Sequence, residues 1–110
     1  MVQHNTMNDF LASTPIFSSA NVPTENQLLK VVSCVGQNWM FLGVELGLSY
    51  DHLRNLRVQL DSEHERIFDM LMTWKRKNGV NATFQRLIQC MSNCRLVDID
   101  WFSLKEKLSD

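Results

Sequence analysis

Asn38-Trp39-Met40-Phe41-Leu42-Gly43-Val44-Glu45-Leu46-Gly47-Leu48-Ser49 is the stretch on which the fold turns. Trp39, Leu42 and Leu46 recur at three- and four-residue steps, the oily stripe of an amphipathic helix rather than the alternation of a strand. The spacing predicts a helix over 38–46. Gly47 closes it, because a residue without a Cβ takes a turn that other residues resist. Ser49 then stands where it can cap a short third helix whose Leu53 and Leu56 face inward.

The same period continues outward in both directions. Upstream, Thr24 and Gln27 have capping-box spacing. They open a helix with Leu28, Val32 and Val35 on one face and Leu29 beside them, and Gly36 is expected to end it. Downstream, Ser62 and Glu65 repeat the capping-box spacing before a long helix over 63–77. Its Ile67, Leu71 and Trp74 face inward, and Lys75, Arg76 and Lys77 meet the negative end of the helix dipole. Asn78 and Gly79 stop it. A fifth helix follows Asn81, with Phe84, Leu87, Ile88 and Met91 inward, and a sixth runs over 98–108 with Trp101, Leu104 and Leu108 on one side. Six short helices with one oily face each must pack on one another, which predicts an all-α bundle. Residues 1–22 read differently. They are rich in Ser, Thr and Asn and nearly uncharged, a loose arm whose Phe10, Leu11, Ile16 and Phe17 can dock and which has room for a short helix over 8–12.

The whole chain has 110 residues, enough for one domain with its own core. Four Gly and two Pro are too few breakers for an all-β fold of many turns. A net charge of -1 supplies no field to hold a polyanion. Three cysteines make a poor disulfide framework, which points to reduced thiols. The oily run around Trp39 to Leu42 is far short of the roughly 20 residues of a membrane span, and the N-terminus does not read as a secretory signal. A cytoplasmic chain is expected. Cys90 and Cys94 stand four apart and His64 could join them, but no second ligand pair of finger-like spacing follows, so core or surface thiols are the expectation and no metal is assigned. Cys34 or Cys90 with His52 or His64 lacks an orienting group and an oxyanion site, and no glycine-rich phosphate loop occurs. No enzyme, cofactor or small-molecule substrate is therefore expected. Asn81-Ala82-Thr83 has the form of a glycosylation sequon, which a cytoplasmic chain would not use.

Taken in order, these segments resemble the death-domain family. The quoted stretch is similar to that family's second helix, with its Trp, a Leu-small pair and a closing Leu-Gly-Leu-Ser. Leu53 and Leu56 match the paired aliphatics of the third helix. Met70-Leu71-Met72-Thr73-Trp74-Lys75-Arg76-Lys77-Asn78-Gly79 looks like the fourth, Ala82-Thr83 with Leu87 and Met91 the opening of the fifth, and Lys105-Glu106-Lys107-Leu108 the end of the sixth. Gly43 stands where Ala is common and Leu53 where Ile is common, and 90–97 is less typical. The resemblance implies an antiparallel six-helix Greek-key bundle over 23–110, the death fold, preceded by the arm.

It also implies function by binding alone. Death domains join one another through three asymmetric contacts that build helical oligomers. One sets the end of the fourth helix against the fifth-to-sixth loop and the start of the sixth. Here Lys75, Arg76, Lys77 and Asn78 would face Asp98 and Asp100, with Arg95 the discordant charge. A second sets the third helix, with His52, Arg54 and Arg57, against the connection carrying Asp61, Glu63 and Glu65. A third would oppose Gln27, Lys30 and Asp69 to Glu45 and Met40. Unlike patches on one molecule make head-to-tail contacts. The implied partners are other death-domain proteins, self-association included, in apoptotic or innate-immune and NF-κB-type signalling complexes, with no nucleic acid or membrane. The rival reading is a small helical nucleic-acid-binding domain that presents His52, Arg54 and Arg57 on its third helix and adds Lys75, Arg76 and Lys77 for phosphate. The acidic Asp61, Glu63 and Glu65 beside that helix oppose it.

Overall fold

The computed structural model describes residues 13–109. Among them the chain forms six α-helices and no strand: α1 (Glu25–Val32), α2 (Trp39–Glu45), α3 (Tyr50–Gln59), α4 (Glu63–Asn78), α5 (Phe84–Asn93) and α6 (Trp101–Leu108). Five of them start on a side chain that accepts from a first-turn amide, satisfying a donor that the helix itself cannot. Thr24 and Gln27 form a full capping box on α1, at 3.1 and 2.9 Å. Ser49 caps α3, Ser62 caps α4, Thr83 caps α5 and Asp100 caps α6. α2 is the exception. Its leading residue Asn38 has φ 66° and makes no side-chain cap. The Asn38 amide instead donates to the Leu96 carbonyl at 3.0 Å, tying the start of α2 to the α5–α6 loop.

Gly47 and Gly79 follow α2 and α4 with φ of 91° and 54°, the left-handed turns that favour glycine. Gly36 works otherwise than its position suggested. α1 ends four residues earlier, at Val32, and Gly36 does not take a positive φ. Its role is close approach. Gly36 N donates to Asp98 O at 2.8 Å, and a Cβ here would stand 3.3 Å from the Asp98 Cβ. Val35 and Ile99 form an isolated antiparallel bridge beside it.

α4 is the centre of the bundle, packed on α1, α2 and α3, while α5 packs on α2 and α6 on α1. Its Ile67, Met70, Leu71 and Trp74 are all buried. Both tryptophans expected inside are there, Trp39 at 4% and Trp74 at 2% exposure. On α1 the inward stripe is Leu28, Val31 and Val32, and Leu29 points to solvent. One residue is about 100° of rotation in a helix of 3.6 residues per turn, so Val31 takes the place that Leu29 does not.

The segment just before α1 is held against the bundle. Residues Pro15–Ser18 form a 3-10 turn packed on α5. Phe17 is buried and meets the Trp101 ring edge-on, with centroids 6.1 Å apart. Asn21 O and Ser19 O accept from the Phe84 and Gln85 amides at 2.9 and 3.0 Å, so this segment satisfies first-turn donors of α5. Phe10, Leu11 and the helix expected over 8–12 lie outside the described residues.

Candidate interaction surfaces

The last turn of α4 carries three cations because positive charge is stabilised where unpaired carbonyls end a helix. Lys75 is half-buried, and Arg76, Lys77 and Asn78 are exposed. None of the three cations pairs with a carboxylate of the described residues. Arg76 reaches only Thr73 Oγ1, at 3.3 Å. Asn78 is engaged: its amide donates to Trp74 O at 2.8 Å and closes the helix end. Lys75 and Arg76 border a shallow groove floored by Val22, Met72 and Val80 and also edged by Glu25. Lys77 does not line it.

The opposing loop is rigidly seated. Asp98 O accepts from Gly36 N, Asp98 N donates to Gln37 O at 3.3 Å, and Asp100 N donates to Cys34 O at 2.8 Å. Backbone pairing on one side leaves the Asp98 and Asp100 side chains exposed on the other. They differ in duty. Asp100 Oδ1 accepts from Ser103 N at 3.1 Å as the α6 cap, whereas Asp98 has no such structural task among the side-chain contacts. Arg95, the discordant charge, is exposed in the same loop.

This is a six-helix bundle with two unlike charged ends, and its sequence matches the family model of the Death domain over residues 25–100. The chain belongs to the death-domain family. Death domains are non-enzymatic modules of homotypic protein–protein interaction, and the six helices are those of the death fold. Among curated proteins no match is found.

The residues assigned to this death domain's second contact are not equivalent. His52 is half-buried and its Nε2 is enclosed with no hydrogen-bond partner, whereas Arg54 and Arg57 are exposed. Arg54 pairs with Asp51 at 3.0 Å and lies 5.7 Å from the Tyr50 ring centroid. Arg57 reaches across to α2, its Nη1 3.9 Å from Met40 Sδ. Asp61, Glu63 and Glu65 are exposed around the start of α4, where negative charge suits the helix N-terminus. Of the third set, Gln27 is used in the α1 capping box and Asp69 accepts from Thr73 at 3.3 Å. Lys30 and Met40 are half-buried and Glu45 is exposed.

One feature escaped the sequence. α2 and α3 enclose a cleft of about 380 Å³ lined by Asn38, Trp39, Met40, Phe41, Val44, Tyr50 and Arg57. Phe41 and Val44 stand three apart on the side of α2 opposite Leu42 and Leu46, and that second stripe was its only trace in the sequence.

The thiols are placed for packing. Cys34 and Cys90 are buried and Cys94 is half-buried at the end of α5. Burial pushes the Cys90 thiol above its ordinary value of 9.0, which disfavours the thiolate that a nucleophile or metal ligand needs. No group of three or more His, Cys, Asp or Glu that could hold a metal occurs among the described residues. No helix among them is long and apolar enough to cross a membrane.

Proposed function

We propose that this death domain assembles cytoplasmic signalling complexes, of the apoptotic or innate-immune and NF-κB type, by head-to-tail contact between the basic end of α4 and the acidic α5–α6 loop. The observation that carries this reading is charge that the molecule leaves unspent. Lys75, Arg76 and Lys77 have no carboxylate partner among the described residues, and Asp98 stands exposed on a loop whose backbone is already fixed. Lys75, Arg76, Lys77 and Asn78 form one side, Asp98 and Asp100 the other. Complementary patches of this kind set partner choice and encounter rate more than raw affinity. A second contact of the same head-to-tail type pairs Arg54 and Arg57 with Asp61, Glu63 and Glu65. His52, half-buried with its Nε2 enclosed, stands beside them on α3.

Reversal of Lys75, Arg76 and Lys77 to Glu is expected to abolish concentration-dependent assembly in light scattering while the far-ultraviolet helix signal stays unchanged. Assembly that survives the triple reversal removes the α4 end from the contact. The nucleic-acid reading fares worse on these surfaces, since the acidic start of α4 adjoins α3.

A further inference from the structure

Charge pairing between the α4 end and the α5–α6 loop leaves three exposed side chains on those surfaces without a duty: Arg95, Leu96 and Val80. Leu96 is 62% exposed and Val80 85%. Scattered exposed apolar residues need no explanation, but these two stand one on each side of the same contact. The loop holds Leu96 in place, because its carbonyl accepts from the Asn38 amide at 3.0 Å while its side chain stands in solvent. Exposure alternates from there. Val97 is buried, Asp98 exposed, Ile99 half-buried and Asp100 exposed, so Leu96 and Asp98 face outward together. With Arg95 exposed just before Leu96, the loop presents a cation, an apolar side chain and an anion in that order.

The groove beside the α4 end offers the complement. Val22, Met72 and Val80 form its floor, Lys75 and Arg76 reach its rim from α4, and Glu25 reaches it from α1. The α1 capping box is made by Thr24 and Gln27, so the exposed Glu25 carboxylate is not spent on it. Neither Glu25 nor Arg95 pairs with an opposite charge among the described residues. We propose that a second copy of this chain seats Leu96 on Val22, Met72 and Val80, with Arg95 turned to Glu25 and Asp98 to Lys75 and Arg76. This seating rests on the contact between the α4 end and the α5–α6 loop and deepens it. Arg95, discordant when the loop is read as an acidic patch, becomes part of the match. Leu96 becomes the anchor, since exposed charges chiefly set partner choice and encounter rate, and affinity comes from apolar surface shut away from water.

The test uses the full chain with Arg54→Ala and Arg57→Ala, which removes the second charged contact. Sedimentation equilibrium of that background is expected to show self-association. Leu96→Ser and Val80→Ser should each weaken it about tenfold or more, with the same slope against salt, since neither removes a charge. The two together should be no weaker than Leu96→Ser alone, because the partners share one contact. Arg95→Glu and Glu25→Arg decide the charge pattern. The first makes the loop wholly acidic and the second makes the groove rim wholly basic, so pairing of a basic end with an acidic loop requires tighter assembly from each. The seating of Arg95 on Glu25 requires the opposite: each single variant weakens assembly about threefold or more, and the double variant regains it. The helix signal should stay unchanged throughout. Tighter assembly of either single charge variant, or a Leu96→Ser protein that assembles like its parent, overturns the proposal and leaves the α4 contact standing. Failure of the α4 contact itself would appear differently, as a background that does not assemble or one undiminished by reversal of Lys75, Arg76 and Lys77, and either result overturns both.

Discussion

At Gly43 the core leaves no room for a Cβ. One added there would stand 2.6 and 2.7 Å from the two Leu53 methyls and 2.9 Å from Met70 Sδ, and both neighbours are wholly buried. The departure from Ala that the sequence shows at this position is thus compensated by Leu53 and Met70, which fill the space. Gly43→Ala gains up to about 1 kcal/mol of helix propensity but forces an overpacked core at about 1–3 kcal/mol. A net loss of about 1 kcal/mol in urea denaturation is the expected outcome. Trp74, at 2% exposure on the central helix, is the opposite case. Trp74→Ala should cost about 3–5 kcal/mol, or leave the domain unfolded, by the same measurement. Trp74 was legible as core from its spacing, and Gly43 was read only against the Ala common at its place in the family. That Gly43 is crowded by Leu53 and Met70 was not legible, since neither lies on its own helix.

Among the elements, α6 shows how a charged residue can serve structure and surface together. Asp98 and Asp100 read alike in sequence, two acids at the start of a helix. In the structure only Asp100 caps α6, and Asp98 lies two residues before that cap. Asp100→Ala should lower stability by about 1 kcal/mol, read as a lower melting midpoint, whereas Asp98→Asn should leave the midpoint unchanged and affect assembly alone. A variant at Asp98 that melts early would show that its carboxylate has a structural role. The helix starts were the most legible part of the fold, because a cap is a local event among neighbours in sequence. The end of α1 was not, because the segment after Val32 is fixed by pairing with residues 98–100, more than sixty positions away.

For the whole molecule the question is whether the contact closes or propagates. A head-to-tail contact has two different sides, so each can be disabled separately. With Arg54 and Arg57 changed to Ala in both proteins to remove the second contact, neutralising Lys75, Arg76 and Lys77 to Ala in one, and Asp98→Asn in the other, should leave each alone unable to assemble. Mixed, they should form a 1:1 complex that grows no further, measured as a mass plateau in light scattering. That plateau should weaken as salt rises, since a Debye length of about 10 Å at 0.1 M screens exposed charges. Growth of the mixture beyond a pair would mean that other surfaces carry the assembly.

Much of this protein follows from sequence alone. Periodic oily stripes, caps and two buried tryptophans define six helices, because helix formation and the inward turn of one face depend on neighbours three or four residues away. The unlike charges were visible too. Only the tertiary structure decided what else those residues touch: Asp51 pairs with Arg54, Asp100 caps a helix, and the Nε2 of His52 is enclosed. It alone produced the α2–α3 cleft and the seating of Phe17 against Trp101. Both join residues distant in sequence, whose approach is set by how helices pack and not by the pattern along any one of them.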